Sequence, residues 1–210
     1  MTVGDVLARV AAAERNAGLA TGSVTLVGVS KTVPLDRITA ALDGGLTDLG
    51  ENRAQELLSK APTLGERESP PTWHFVGRLQ RNKVASLAPW IALWHSIDSE
   101  KLGAAVARRV PGARVLVEVN LGQEPDKGGC NPTEVGRLTD ALGRSGLDVA
   151  GLMTVAPRSG EAKRWFAQLR ELALPLGLTE LSMGMSGDFE DAIQEGATIV
   201  RVGTAIFGSR

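Results

Sequence analysis

Lys31 follows the apolar run Val27-Gly28-Val29-Ser30 and so stands where a strand gives out. A lysine in that place keeps its stem on the strand end and its amine at the edge of the core. Desolvation there would lower its pKa and leave free amine, which Schiff-base chemistry needs. The other reading is a lysine snorkelling to solvent. The segment Ser182-Met-Gly-Met-Ser-Gly-Asp188 leaves a later strand and leads into a helix. Ser186 and Gly187 then lie at or near the helix N-cap, where free backbone N–H groups attract an anion such as phosphate. Val200-Arg-Val-Gly-Thr204 adds Gly203 and Thr204 after the last strand. Arg201 in that run only donates hydrogen bonds and keeps its charge. Facing a pyridine nitrogen, it would hold that nitrogen unprotonated and weaken the ring as an electron sink. An ordinary ion pair with Glu180 or Asp188 is the competing reading.

Strands must bring these residues together. Short apolar or β-branched runs alternate with longer amphipathic segments along the chain. The strand candidates are 23–29, 46–49, 73–76, 91–96, 114–119, 148–153, 179–183 and 198–202. Helical patterns cover 35–42, 54–59, 101–109, 133–142, 161–173 and 189–194, and 61–71 reads as a surface loop. Several strands are almost continuously apolar, as strands buried on both faces are. The pattern predicts a single (β/α)8 TIM barrel spanning residues 1–210, with an extra N-terminal helix. An open doubly wound sheet is the alternative, but no G-x-G-x-x-G follows the first strand.

In such a barrel the chemistry gathers at the C-terminal ends of the strands. The first polar residues there are Lys31, Glu51 with Asn52, His74, His95 with Ser96, Asn120, Met153 with Thr154, Ser182 and Arg201. Glu51-Asn52 could position ring substituents or cap the next helix. Each histidine could equally be a satisfied structural group. Met153 is more simply core, and Lys127 reads as a solvated loop charge.

Composition excludes other chemistry. Two histidines and one cysteine cannot build the usual zinc site, and no tyrosine is present to act as acid or base. A formal net charge of −1 gives no reason to expect nucleic acid or an anionic membrane as partner, and no apolar run is long enough for a membrane span. Asp5, Arg9, Glu14 and Arg15 make the N-terminus an amphipathic helix, not a signal peptide. The lone Cys130 fits a reducing compartment, with the cytoplasm as the expected location.

Val29-Ser-Lys-Thr32, Leu49-Gly-Glu-Asn-Arg-Ala-Gln-Glu56, Trp73-His-Phe-Val-Gly77 with Leu79-Gln-Arg-Asn-Lys83, His95-Ser-Ile-Asp98, Gly151-Leu-Met153, Leu181-Ser-Met-Gly-Met-Ser186 and Val200-Arg-Val-Gly-Thr-Ala-Ile-Phe-Gly208 run in order along the chain. Together they resemble the YggS/PROSC family of pyridoxal phosphate homeostasis proteins. The resemblance implies a barrel similar to the N-terminal domain of alanine racemase, with pyridoxal 5'-phosphate (PLP) at its mouth. It makes Lys31 the aldimine lysine, and Ser186, Gly203 and Thr204 phosphate ligands. It places Arg201 against the pyridine nitrogen and Asn52, His74, Met153 and Ser182 around the pocket. Members of that family are usually monomeric, lack robust turnover, and are thought to buffer PLP or deliver it to apo PLP-dependent enzymes. The competing function is a PLP-dependent racemase of the same barrel class. Such enzymes need a second base, a tyrosine, which this sequence lacks.

Overall fold

The computed structural model describes residues 2–157 and 161–208. Eight strands close into a barrel in chain order: β1 (Thr25–Val29), β2 (Asp48–Glu51), β3 (Thr72–Phe75), β4 (Ile91–Ile97), β5 (Arg114–Glu118), β6 (Asp148–Met153), β7 (Glu180–Ser182) and β8 (Ile199–Val202). Neighbouring strands pair in parallel throughout, and β8 returns to β1 with Val27 opposite Arg201. Parallel neighbours need crossover connections. These are supplied by α2 (Leu35–Asp43), α3 (Ala54–Gly65), α4 (Val84–Leu87), α5 (Glu100–Ala107), α6 (Val135–Arg144), α7 (Ala162–Ala173) and α8 (Phe189–Gln194). The expected TIM barrel is therefore the observed one.

The expected extra helix is α1 (Val3–Asn16), and α9 (Thr204–Phe207) follows β8. A capping box between Thr2 and Asp5 starts α1. Its buried Glu14 carboxylate accepts hydrogen bonds from Gly22 and Val24 N–H at 3.0 and 2.7 Å, tying the helix to the entry of β1.

Strand parity divides the side chains into two cores. Val27, Leu93, Leu116, Met153 and Ile199 fill the lumen. The alternate residues, among them Leu26, Leu49, Phe75, Trp94, Val117 and Val200, pack outward beneath the helices.

Most elements differ from the sequence reading by one or two residues, and two differences matter for packing. β2 begins at Asp48 and ends at Glu51 instead of covering 46–49. Leu46 serves packing instead, its Cδ2 lying 2.5 Å from where a Cβ on Gly28 would stand. Helix α3 continues to Gly65 through Pro62, into the stretch expected to be loop. Proline forgoes one helical hydrogen bond, and burial of Leu57, Ala61 and Leu64 holds the last turns in place.

Candidate functional site

At the mouth, β1 ends and Thr32 takes a left-handed φ of 61°, so Lys31 lies in the turn beyond the strand. Its side chain is exposed, and the burial that the desolvation argument required is absent. Val29 is the last inward residue of β1, whereas Ser30 turns outward and is buried. Lys31 lines a cavity of about 280 Å³ with Val29, Thr32, Gly203 and Thr204. Residues distant in sequence thus meet at the β1–β8 seam.

A buried charged cluster fixes this turn. Ser30 Oγ donates to Glu51 Oε1 at 2.8 Å, and Lys60 Nζ donates to Glu51 Oε1 at 2.6 Å and to the Ser30 carbonyl at 2.8 Å. Glu56 accepts from Lys60 and from Thr32 N–H. The residues on both sides of Lys31 are therefore held by α3. Glu51 faces this cluster behind the barrel wall and takes no part in the mouth. Sequence reading missed Lys60 and Glu56, whose i, i+4 spacing on one helix face was the available signal.

On the opposite strands, Ser186 lies two residues ahead of Asp188, the N-cap residue of α8. Ser186 and Gly187 thus lie near the cap, as expected, and Asp188 Oδ1 accepts from Met185 N–H in the turn before the helix starts. Ser186 Oγ accepts instead from the N–H groups of Gly203 and Ala205 at 3.2 and 3.3 Å. Ser186, Gly203 and Thr204 consequently sit together. Gly184, at φ 89°, makes the turn possible, since a Cβ there would lie 2.6 Å from that of Ala192.

Arg201 is buried in the lumen. It donates to Ser182 Oγ at 2.6 Å and to the Thr154 carbonyl at 2.8 Å, and pairs with neither Glu180 nor Asp188. Glu180 is taken by Arg114 at 2.9 Å. Burial lowers the Arg201 pKa to about 10, against the pull of Glu118 and Asp188, so the guanidinium stays charged at neutral pH. From Ser182 the hydrogen bonds continue inward. His95 Nδ1 is 2.8 Å from Ser182 Oγ, His95 Nε2 is 2.8 Å from His74 Nδ1, and His74 Nε2 is 3.0 Å from Asp48 Oδ1. Both nitrogens of His74 are thereby engaged below the mouth, and Met153 packs beside this chain in the lumen.

Asn52 faces a neighbouring groove of about 1140 Å³, which Arg53, Arg78, Arg81, Lys83 and Lys101 also line. Asn120 pins its own loop through Glu124, bonding both its N–H and its carbonyl. Lys127 pairs with Glu124 at 2.5 Å and reaches the Ala156 carbonyl at 3.4 Å, so it joins two loops and is not simply solvated. Burial raises the Cys130 thiol to about 12 and makes it unreactive.

Glu118 was missed by the sequence reading. It closes β5 opposite Met153. Burial, reinforced by Asp98 and opposed by Arg201 and Arg78, raises its carboxyl from the ordinary 4.5 to about 7. Its inward parity with Leu116 was the signal.

Residues 9–210 match the family model described as alanine racemase, N-terminal domain. A pyridoxal phosphate homeostasis protein of Aquifex aeolicus is 42% identical, over 98% of this chain and 95% of that protein. A crystal structure of an unknown protein from Bifidobacterium adolescentis superposes with a TM-score of 0.89 at 38% identity, covering 98% of this chain and 92% of that one. PipY of Synechococcus elongatus PCC7942, solved with PLP bound, superposes at 0.83 with 35% identity, covering 96% and 100%. With this barrel, this mouth and relatives aligned over nearly its full length, the chain belongs to the alanine racemase N-terminal domain family, within its pyridoxal phosphate homeostasis proteins.

Proposed function

We propose that the protein binds PLP at the C-terminal mouth of its barrel, covalently through Lys31, and stores and releases it without robust turnover. The observation that carries this reading is the cavity in which Lys31 meets Gly203 and Thr204. An amine and a phosphate cradle at one seam are what a phosphorylated aldehyde requires.

The surrounding residues fit the group. Ser186, Gly203 and Thr204 would take the phosphate. Arg201 would face the ring nitrogen with Ser182 behind it, and His74 and Met153 would support it from below. Asn52 faces the neighbouring groove, where its Oδ1 is buried without a hydrogen-bond partner among the described residues, an acceptor that a donating ligand group would satisfy. When bound, PLP supplies an aldehyde that condenses reversibly with an amine, and a ring able to accept electrons. Arg201 opposes the second of these properties, because a charged donor at the ring nitrogen disfavours a proton there. The protein's groups are thus arranged for holding the cofactor more than for using it.

Glu118 favours a second reading. A carboxyl that titrates near neutrality beside the mouth is suited to moving a proton, and racemase-type chemistry would need such a group. The absence of tyrosine removes the second base that this chemistry uses, and the carrier reading is preferred.

The single thiol fits a reducing cytoplasm, where the protein, as a monomer, would meet apo PLP-dependent enzymes transiently. Among the described residues no helix is long and apolar enough to cross a membrane. Borohydride reduction of the yellow, PLP-loaded protein should fix the cofactor on Lys31, as read by peptide mass. Lys31→Ala should lose the label; label retained elsewhere overturns the assignment. Stereospecific turnover of alanine that Glu118→Gln abolishes would establish the enzymatic reading instead.

A further inference from the structure

Four hydrogen bonds run through the lumen from the mouth to the opposite end of the barrel. Arg201 meets Ser182, Ser182 meets His95, His95 meets His74, and His74 meets Asp48. Asp48 opens β2 and lines a cavity of about 450 Å³ under α1 together with Glu14, Thr25 and Leu46. His74 can lean across to it because its β2 neighbour in register is Gly50, which puts no side chain into the lumen.

The two ends of the chain impose a direction. A guanidinium only donates and a carboxylate only accepts. Between them each neutral imidazole has one donor and one acceptor nitrogen, and the Ser182 hydroxyl has one donor and two lone pairs. One assignment satisfies all four contacts: Arg201 donates to Ser182, the Ser182 hydroxyl to His95 Nδ1, His95 Nε2–H to His74 Nδ1, and His74 Nε2–H to Asp48. In the reverse assignment Ser182 would receive donors from both sides, and among the described residues its oxygen has no third partner for its own proton. Local electrostatics agree. Burial, with His74 and Arg201 nearby, holds His95 well below the usual imidazole range and therefore neutral. Asp48 lies below its ordinary value, because hydrogen bonds from His74 and Thr47 outweigh burial.

We propose that Asp48, His74 and His95 are positioning residues for the cofactor-facing Arg201, acting as a one-directional chain that orients the Ser182 hydroxyl and so supports the hold on PLP. The proposal rests on the reading of PLP at the mouth. If position 48 donates in place of accepting, His74 carries its proton on Nδ1, and His95 must shift its own proton to Nδ1. Ser182 then loses its acceptor, and the support behind Arg201 changes. The other titratable groups facing this lumen are Glu118 and Arg114 of β5, Asp148 of β6, Glu180 of β7 and Asp98 beyond β4. Arg114 is paired with Asp148 and Glu180.

Two-bond proton–nitrogen NMR of the 15N-histidine apoprotein tests the chain without any cofactor. At pH 8 both rings should carry their proton on Nε2. In Asp48→Asn, where position 48 can donate, both protons should move to Nδ1. A proton on Nδ1 of either ring in the wild type overturns the proposal.

In the PLP-loaded protein, Asp48→Asn removes a charge four hydrogen bonds from Arg201 and lets position 48 donate. Its affinity for PLP should fall about five-fold, the scale of one hydrogen bond, and the pH profile of its absorption band should shift. Affinity and profile indistinguishable from wild type also overturn the proposal. Failure of the parent reading would show separately, as wild-type protein that borohydride does not label on Lys31. If Asp48→Asn does not fold, the wild-type tautomers decide alone.

Discussion

Among the described residues the hydrogen-bond partners of Arg201 are uncharged, the Ser182 hydroxyl and the Thr154 carbonyl, so no ion pair ties up its charge. Lysine at this position keeps the charge but not the planar fork, and cannot hold both contacts and a ligand at once. Arg201→Lys should weaken PLP binding about tenfold, the worth of one charge-assisted hydrogen bond, as read by fluorescence titration. An unchanged affinity would remove Arg201 from the site. Lys31 and Arg201 were legible in the sequence because each follows an apolar run whose end marks the barrel mouth. Glu118 was not. It lies within the run Arg114-Val-Leu-Val-Glu-Val119, where only the pleat shows that it faces the lumen.

At the scale of elements, α3 acts as a clamp on the turn that carries Lys31. Lys60 neutralises Glu51 in a pair that is almost fully buried. Removing one partner leaves the other charged and desolvated, which costs about 3–5 kcal/mol. Lys60→Met should lower stability to urea by that amount and also slow borohydride trapping at Lys31. The double variant with Glu51→Gln should recover part of the stability. A Lys60→Met protein of wild-type stability would show that the clamp contributes nothing. The β7–α8 turn depends on Gly184 in a similar way: alanine there meets a left-handed φ and the Ala192 methyl group. Gly184→Ala should cost about 1–3 kcal/mol in the same denaturation assay. Helix α3 was only half legible, because Pro62 reads as a terminator locally while the apolar face that outweighs it is evident only against the barrel wall.

Across the whole molecule, two carboxyls give stability opposite pH dependences. Glu118 holds its proton to about pH 7 when folded, against its ordinary 4.5. Between those values the native state carries one proton more than the unfolded chain, so stability falls as pH rises. The loss is about 3 kcal/mol, absent below the lower value and complete above the upper. Asp48 has the opposite sign: its depressed pKa adds stability above the ordinary carboxylate value, and this is lost on acidification. Neutral His95 acts oppositely over the same range, so the readout is the difference: from pH 5 to 8 wild type should lose stability to urea relative to Glu118→Gln. A wild-type-minus-variant difference flat over that range would refute the assignment.

By itself the sequence determined the barrel, the order of its strands and the identity of the mouth residues on β1, β7 and β8. Apolar runs, helical periods and motif order are local properties, and eight such units have few ways to bury themselves. Only the tertiary structure decided what those residues do to one another. Closing β8 onto β1 placed Lys31 beside Gly203 and Thr204. The pleat turned Ser30 and Glu51 outward to Lys60, and turned Asp48, His74, His95, Ser182 and Arg201 inward to meet across the lumen. Hydrogen bonds between strands far apart in sequence depend on register and on which neighbour is glycine, and neither is set until the sheet has closed.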